Sequence, residues 1–236
     1  MPLALVTATA VEMRAALALI AGNANVPERG ACPFQVGGRD MFLVVTGVGP
    51  VNAALEMGAS LERFRITGVL NVGVAGSFDL AGAPLGSAVT ATAEVYAEYG
   101  IAGGDGLASA EGFAFPQWEC GSQRVVQRIE LDPETAAQAM GVCLPQGVAP
   151  GTGLTVAGVT GTFERARTLE KLHGALMESM EGFALALACL TRGLPFLEVR
   201  TISNGVGEED RAKWKLNEAM TGLGTMLAGM LSGGSA

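Results

Sequence analysis

Short apolar runs closed by glycine or small polar residues alternate along this chain with stretches whose apolar positions recur every three or four residues. The runs Leu3 to Thr7, Met41 to Thr46, Val69 to Val72, Ala88 to Tyr96, Leu154 to Thr160 and Pro195 to Ser203 predict strands. The segments between them predict helices over Thr9 to Ile20, Pro50 to Phe64, Pro133 to Met140, Phe163 to Leu172, Glu181 to Leu190 and Arg211 to Leu231. Asp132 before Pro133 supplies a capping carboxylate followed by a ring already set for the first helical turn. Strands that are apolar throughout, rather than alternating, are covered on both faces. The predicted fold class is therefore α/β: a single domain over residues 1–236, with a mixed, mostly parallel central sheet flanked by helices. In such sheets ligands lie beyond the carboxyl ends of the strands, so the residues just after each run are the ones to question.

Composition narrows the possible chemistry. A net charge of −8 over 236 residues argues against a nucleic-acid or anionic membrane surface, which needs clustered Lys and Arg. Mean hydropathy is +0.37, yet the longest wholly apolar runs, such as Phe183 to Leu190, are too short to span a membrane. The apolar surplus fits a buried sheet and an oligomer interface. The start of the chain is apolar but lacks a basic leader and is interrupted by Glu12 and Arg14, so it reads as strand then helix. Cys32, Cys120, Cys143 and Cys189 are widely spaced, giving neither a disulfide framework nor a zinc pattern and fitting reduced thiols of the cytoplasm. With one histidine, His173, on a polar helix end, a His-based metal site or triad is nearly excluded. The chemistry must rest on carboxylates, amides and backbone.

Several positions stand out. The turn Thr46-Gly47-Val48-Gly49-Pro50-Val51-Asn52 sits where a dinucleotide fingerprint belongs, but Asn52 replaces its third glycine and no acid follows the next strand. A tight turn near a small polar ligand remains open there. The turn Asn71 to Ser77, with Ala75 and Gly76, is equally a sharp bend or a close approach to a flat ring. Glu181 opens a helix that is apolar on every face, so its buried carboxylate needs donors, from the helix end and a neighbour or from a vicinal diol. Glu12, in the first turn of a helix, is explained on this ground alone by the helix dipole. Arg200 lies inside a strand and needs a buried anion, which Glu12 or Glu181 would supply, and Ser203-Asn204 close that strand. Arg211, Lys213, Trp214 and Lys215 form the densest basic patch, by default a solvated face. Residues Gly100 to Gly121, carrying Phe113, Phe115 and Trp118, read as a long loop or lid.

Taken together, Glu12, the turns at Gly47 and Gly73, Glu178-Ser179-Met180-Glu181-Gly182-Phe183-Ala184 and Val199-Arg200-Thr201-Ile202-Ser203-Asn204 resemble, in order over nearly the whole chain, the methylthioadenosine nucleosidase branch of the nucleoside phosphorylase superfamily. Within it, Met180-Glu181-Gly182, Ser203-Asn204, Asp210-Arg211, Trp214 and the Thr160-Gly161-Thr162 turn are most similar to the futalosine hydrolase family. The resemblance implies a nucleoside phosphorylase-like fold and a cofactor-free N-glycosyl hydrolase acting on a small nucleoside, commonly as a homodimer. It implies Glu12 as the base that activates water, Met180 and Glu181 at the ribose, and Arg200 near the water. Ala75, Gly76, Ser203, Phe163, Phe113 and Arg211 join them as substrate contacts. Adenine-specific relatives carry an aspartate where Asn204 stands. Hypoxanthine presents two acceptors at that edge, which suits a donating amide, so the resemblance and the hydrogen-bond inventory point together to a 6-oxopurine. Neighbouring readings are a methylthioadenosine or adenosylhomocysteine nucleosidase, a purine nucleoside phosphorylase and a non-catalytic nucleoside binder.

Overall fold

The structure, a computed structural model, describes residues 2–103 and 107–232. The chain runs β1 (Leu3–Thr7), α1 (Ala10–Ala21), β2 (Gly30–Val36), β3 (Arg39–Val45), α2 (Pro50–Arg63), β4 (Val69–Ser77) and β5 (Ala88–Tyr96). Short strands follow, β6 (Ile101–Ala102), β7 (Ala108–Ser109), β8 (Trp118–Cys120), β9 (Gln123–Val125) and β10 (Arg128–Glu130). The remainder is α3 (Pro133–Met140), β11 (Ala149–Thr155), α4 (Phe163–His173), β12 (Ala175–Ser179), α5 (Gly182–Leu190), β13 (Phe196–Gly205) and α6 (Leu216–Ser232).

The nine-stranded sheet is mixed and mostly parallel, as the apolar runs predict. Its order is β10-β5-β11-β12-β4-β1-β3-β2, and β13 pairs with both β4 and β5. That double pairing joins β4, β13, β5, β11 and β12 into a closed ring. Helices α1, α3 and α6 cover one face through Met13, Leu17, Met140, Leu223 and Leu227; α2 and α5 cover the other through Met57, Phe183 and Leu185. Each such buried side chain contributes roughly 1.5–3 kcal/mol of transfer free energy. Among the described residues no helix is long and apolar enough to cross a membrane.

Several elements depart from expectation. The strand expected over Leu154 to Thr160 is instead Ala149–Thr155, and residues 156–162 leave the sheet as a loop. Strand β12 precedes Glu181, and β2 forms an edge hairpin with β3; neither was expected. The final helix begins at Leu216, because Arg211–Lys213 form a separate 3-10 turn capped by Asp210. The segment Gly100 to Gly121, expected as a loop, carries the short strands β6, β7 and β8, with β6 pairing β7 and β8 pairing β9, while its residues 104–106 lie outside the described residues.

Candidate active site

The carboxyl ends of β4, β12 and β13 open on a cavity of about 430 Å³. Glu12, Ala75, Gly76, Met180, Glu181, Arg200, Ser203, Asn204 and Arg211 all line it. Glu12 is held from two sides. Thr9 and Glu12 form a capping box at the start of α1, Thr9 Oγ1 donating to Glu12 Oε2 at 2.8 Å and the Thr9 amide donating to the same oxygen at 3.0 Å. The other oxygen, Oε1, accepts from the Val74 amide at 3.1 Å. The capping explanation and a place in the cavity thus coexist for one residue, because the first turn of α1 follows directly on β1.

Glu181 is the N-cap of α5, yet its side chain makes no capping bond to that helix. It accepts instead from the Gly49 amide at 2.9 Å. Gly49 adopts φ 96°, a left-handed conformation natural to glycine, and so the first glycine turn serves a carboxylate. Burial raises the Glu181 carboxyl above its usual range, opposed chiefly by the Arg200 guanidinium.

Arg200 is 1% exposed and sits at the centre of the charges. Its Nε donates to Glu198 Oε1 at 2.7 Å, and Nη2 lies 3.5 Å from Glu181 Oε2. Glu198, one of the missed residues, is therefore its nearer anion. Gly73 completes the packing: a methyl group there would lie 2.6 Å from Arg200 Nη1 and 2.7 Å from Glu12 Oε1, so those two side chains occupy the space that a larger residue would need. With Glu12, Glu181 and Glu198 around one guanidinium, the deep wall carries excess negative charge. Opposite charge nearby raises the Arg200 pKa still further despite its burial.

On the other wall Asn204 and Gly76 are partners across β13 and β4, while Glu178 of β12 pairs Gly76 from the far side. Asn204 Nδ2 donates to the Gly205 carbonyl at 3.0 Å, which orients the amide. Ser203 Oγ lies 2.8 Å from Asn204 Oδ1 and 3.2 Å from the Ala75 carbonyl, two acceptors for its single proton. Glu178 Oε1 accepts from the Thr160 amide at 3.0 Å and holds the loop after β11 at the cavity edge. Sequence reasoning gave Thr160 and Glu178 no place in the cavity, because the strand β12 that carries Glu178 was not recognised and its pairing with Gly76 appears only in the folded sheet.

The rim is formed by Arg211, Trp214, Leu216 and Met220. The Arg211 guanidinium stands 5.9 Å from the centre of the Trp214 ring, and Trp214 Nε1 donates to the Glu208 carbonyl at 2.7 Å. Lys213 is engaged elsewhere, 2.7 Å from Glu208 Oε2. Two expected contacts are not brought to the cavity. Phe163 starts α4 with 53% of its surface exposed, and Phe113 packs in an aromatic cluster with Tyr99 and Phe115 at ring distances of 5.3 and 5.7 Å.

A family model described as the phosphorylase superfamily matches residues 2–232. The futalosine hydrolase of Thermus thermophilus is 36% identical over 196 residues, which cover 83% of this chain and 83% of that protein. The futalosine hydrolase of Streptomyces coelicolor is 37% identical over 187 residues, covering 77% of this chain and 74% of its own. A solved futalosine hydrolase mutant of Helicobacter pylori superposes with a TM-score of 0.76 at 18% identity, covering 98% of this chain and 99% of that one, a likeness of fold. The chain belongs to the phosphorylase superfamily and, within it, to the futalosine hydrolases.

Proposed function

We propose that this protein hydrolyses the N-glycosidic bond of futalosine, a nucleoside of menaquinone biosynthesis, and releases hypoxanthine. The observation that carries the reading is the single cavity in which an amide, Asn204, faces the same space as the carboxylates Glu12 and Glu181 and the guanidinium of Arg200. The base lies over Gly76 with Asn204 donating to its acceptor edge. As the bond stretches, ribose gains cationic character and the base gains negative charge. The excess negative charge of the deep wall favours the first, and the Asn204 amide favours the second. Glu181 accepts from ribose hydroxyls while Met180 packs against the sugar. Glu12 takes a proton from the attacking water, a role of a kind that contributes roughly a hundredfold to ten-thousandfold. Arg200 Nη2, buried and without a hydrogen-bond acceptor among the described residues, has a proton to offer that water.

The same charge distribution argues for water over phosphate. Arg200 is already engaged by Glu198 and Glu181, and a phosphate beside Glu12 would meet uncompensated negative charge. The carboxyphenyl arm of futalosine lies at the rim, against Trp214 and within reach of Arg211. We also infer a cytoplasmic homodimer. Val48, Val51 and Leu55 are 49%, 69% and 65% exposed, and the last two border an apolar groove with Leu187 and Ala188 of α5. In that assembly the Phe113 segment completes the neighbouring subunit's cavity.

The test is a substrate panel of futalosine, methylthioadenosine and inosine, each with and without phosphate, followed by chromatography of the free base. Hypoxanthine from futalosine at a rate indifferent to phosphate supports the proposal. Faster release of adenine from methylthioadenosine, or dependence on phosphate, contradicts it.

A further inference from the structure

Behind the cavity lie two carboxyl groups that do not line it, Glu94 on β5 and Glu198 on β13, both wholly buried. Each uses one oxygen conventionally. Glu94 Oε2 accepts from Thr155 Oγ1 at 2.6 Å, and that hydroxyl accepts in turn from the Phe183 amide, in the first turn of α5, at 2.7 Å. Glu198 Oε1 accepts from Arg200 Nε at 2.7 Å. The other two oxygens, Glu94 Oε1 and Glu198 Oε2, are buried without another partner among the described residues. They converge on one point: a methyl group on Gly182 would strike Glu198 Oε2 and lie 2.6 Å from Glu94 Oε1. Gly153, whose added methyl would also strike Glu94, leaves room from the opposite side.

Two ionised groups so placed would set lone pair against lone pair away from bulk solvent, at a cost far larger than a missed hydrogen bond. A single proton between them satisfies both. We propose that Glu94 and Glu198 share one proton, with Glu94 the neutral partner, and that the pair is a positioning device for Arg200. Burial and the adjacent Glu198 carboxylate also push the Glu94 carboxyl well above the usual carboxylate range, opposed by the Thr155 hydroxyl and by Arg200.

The consequence runs in two directions from Glu94. Through Thr155 it anchors the first turn of α5, which places Glu181. Through Glu198 it fixes the Nε edge of Arg200, leaving the opposite edge turned toward Glu181 and Glu12. Because Glu94 is neutral, Glu198 keeps one full charge for the guanidinium, and the cluster Glu12, Glu181, Glu198 and Arg200 retains the excess negative charge that favours a cationic sugar.

The kinetic arm of the test rests on the hydrolase reading, whereas the spectroscopic arm needs no substrate and so fails separately. In Glu94→Gln an amide can still donate to Glu198 and accept from Thr155 without changing the charge. We expect kcat within about twofold of the wild type and an unmoved acid limb of the kcat/KM profile. The infrared carbonyl stretch of a buried carboxylic acid, present in the wild type at neutral pH, should be missing. Glu94→Leu keeps the volume and loses the bonds; kcat should fall roughly tenfold or more, with a smaller change in KM. A wild type without the acid band, an acid limb displaced in Glu94→Gln, or full turnover in a folded Glu94→Leu would each overturn the proposal.

Discussion

Asn204→Asp changes one atom and exchanges a donor for an acceptor. In the native protein Nδ2 spends one hydrogen on the Gly205 carbonyl at 3.0 Å and has a second for a ligand in the cavity that Asn204 lines. A methyl group on Gly76 would fit only tightly, 3.0 Å from Val206 Cγ2 and 3.3 Å from that nitrogen. A carboxylate in this place turns lone pairs toward both the Gly205 carbonyl and the acceptor edge of hypoxanthine. Loss of one donor to a developing anion costs about a hundredfold to a thousandfold in kcat, or roughly 2.7–4 kcal/mol. The added like charge makes that range a lower bound. Only the protonated acid can donate, so residual futalosine turnover should be confined to the acid side of the profile. A 6-aminopurine, which offers a donor beside an acceptor, should gain relative to futalosine. The assay is kcat/KM for futalosine and methylthioadenosine across pH. Futalosine turnover within about threefold of the wild type, at unchanged preference, would refute donor matching as the basis of specificity.

Glu12→Gln should bind substrate with similar affinity in calorimetry while losing roughly a hundredfold to ten-thousandfold in turnover; a fully active variant removes it as the base. Arg200→Met leaves Glu198 and Glu181 buried without their cation, and denaturant unfolding should show a loss of about 3–5 kcal/mol. A loss under about 1 kcal/mol would mean that the cluster is solvated. Arg211→Ala should raise KM for futalosine and leave inosine turnover unchanged, and an unaltered futalosine KM would take the rim out of recognition. Because the Glu94 pKa is raised in the folded state, its contribution is complete below the unfolded value of about 4.3 and is lost as pH rises toward the folded value. Glu94→Gln carries no such loss, so its stability relative to the wild type should climb by about 1.4 kcal/mol per pH unit across that window. A stability difference independent of pH would contradict a protonated Glu94.

What was legible in the sequence followed from burial. Strands β1, β4 and β13 are buried in nearly every position, and a charge inside such a strand, like Arg200, or at the head of an apolar helix, like Glu181, must have a purpose. The less legible elements disguise themselves for physical reasons. The first five residues of β11, Ala149 to Gly153, do not read as a strand because Gly151 and Gly153 are kept bare by Leu176 and Glu94. Strand β2 contains Pro33 and is half exposed, as an edge strand can be. Strand β12 is five residues long and ends in Glu178 and Ser179, polar because they turn toward the site. Glu198 was within reach of the same logic as Arg200. It stands two residues earlier on the same strand, hence on the same face, and is the guanidinium's hydrogen-bonded partner. Glu94 required the three-dimensional ring, since nothing local brings β5 against α5 and β13.

The most direct measurement is a turnover of futalosine in water enriched in heavy oxygen, without phosphate and then with it, with mass analysis of both products. The account predicts unlabelled hypoxanthine and a sugar carrying one heavy oxygen at its anomeric carbon, in equal yield under both conditions. A sugar phosphate, or no free base until phosphate is added, would contradict it.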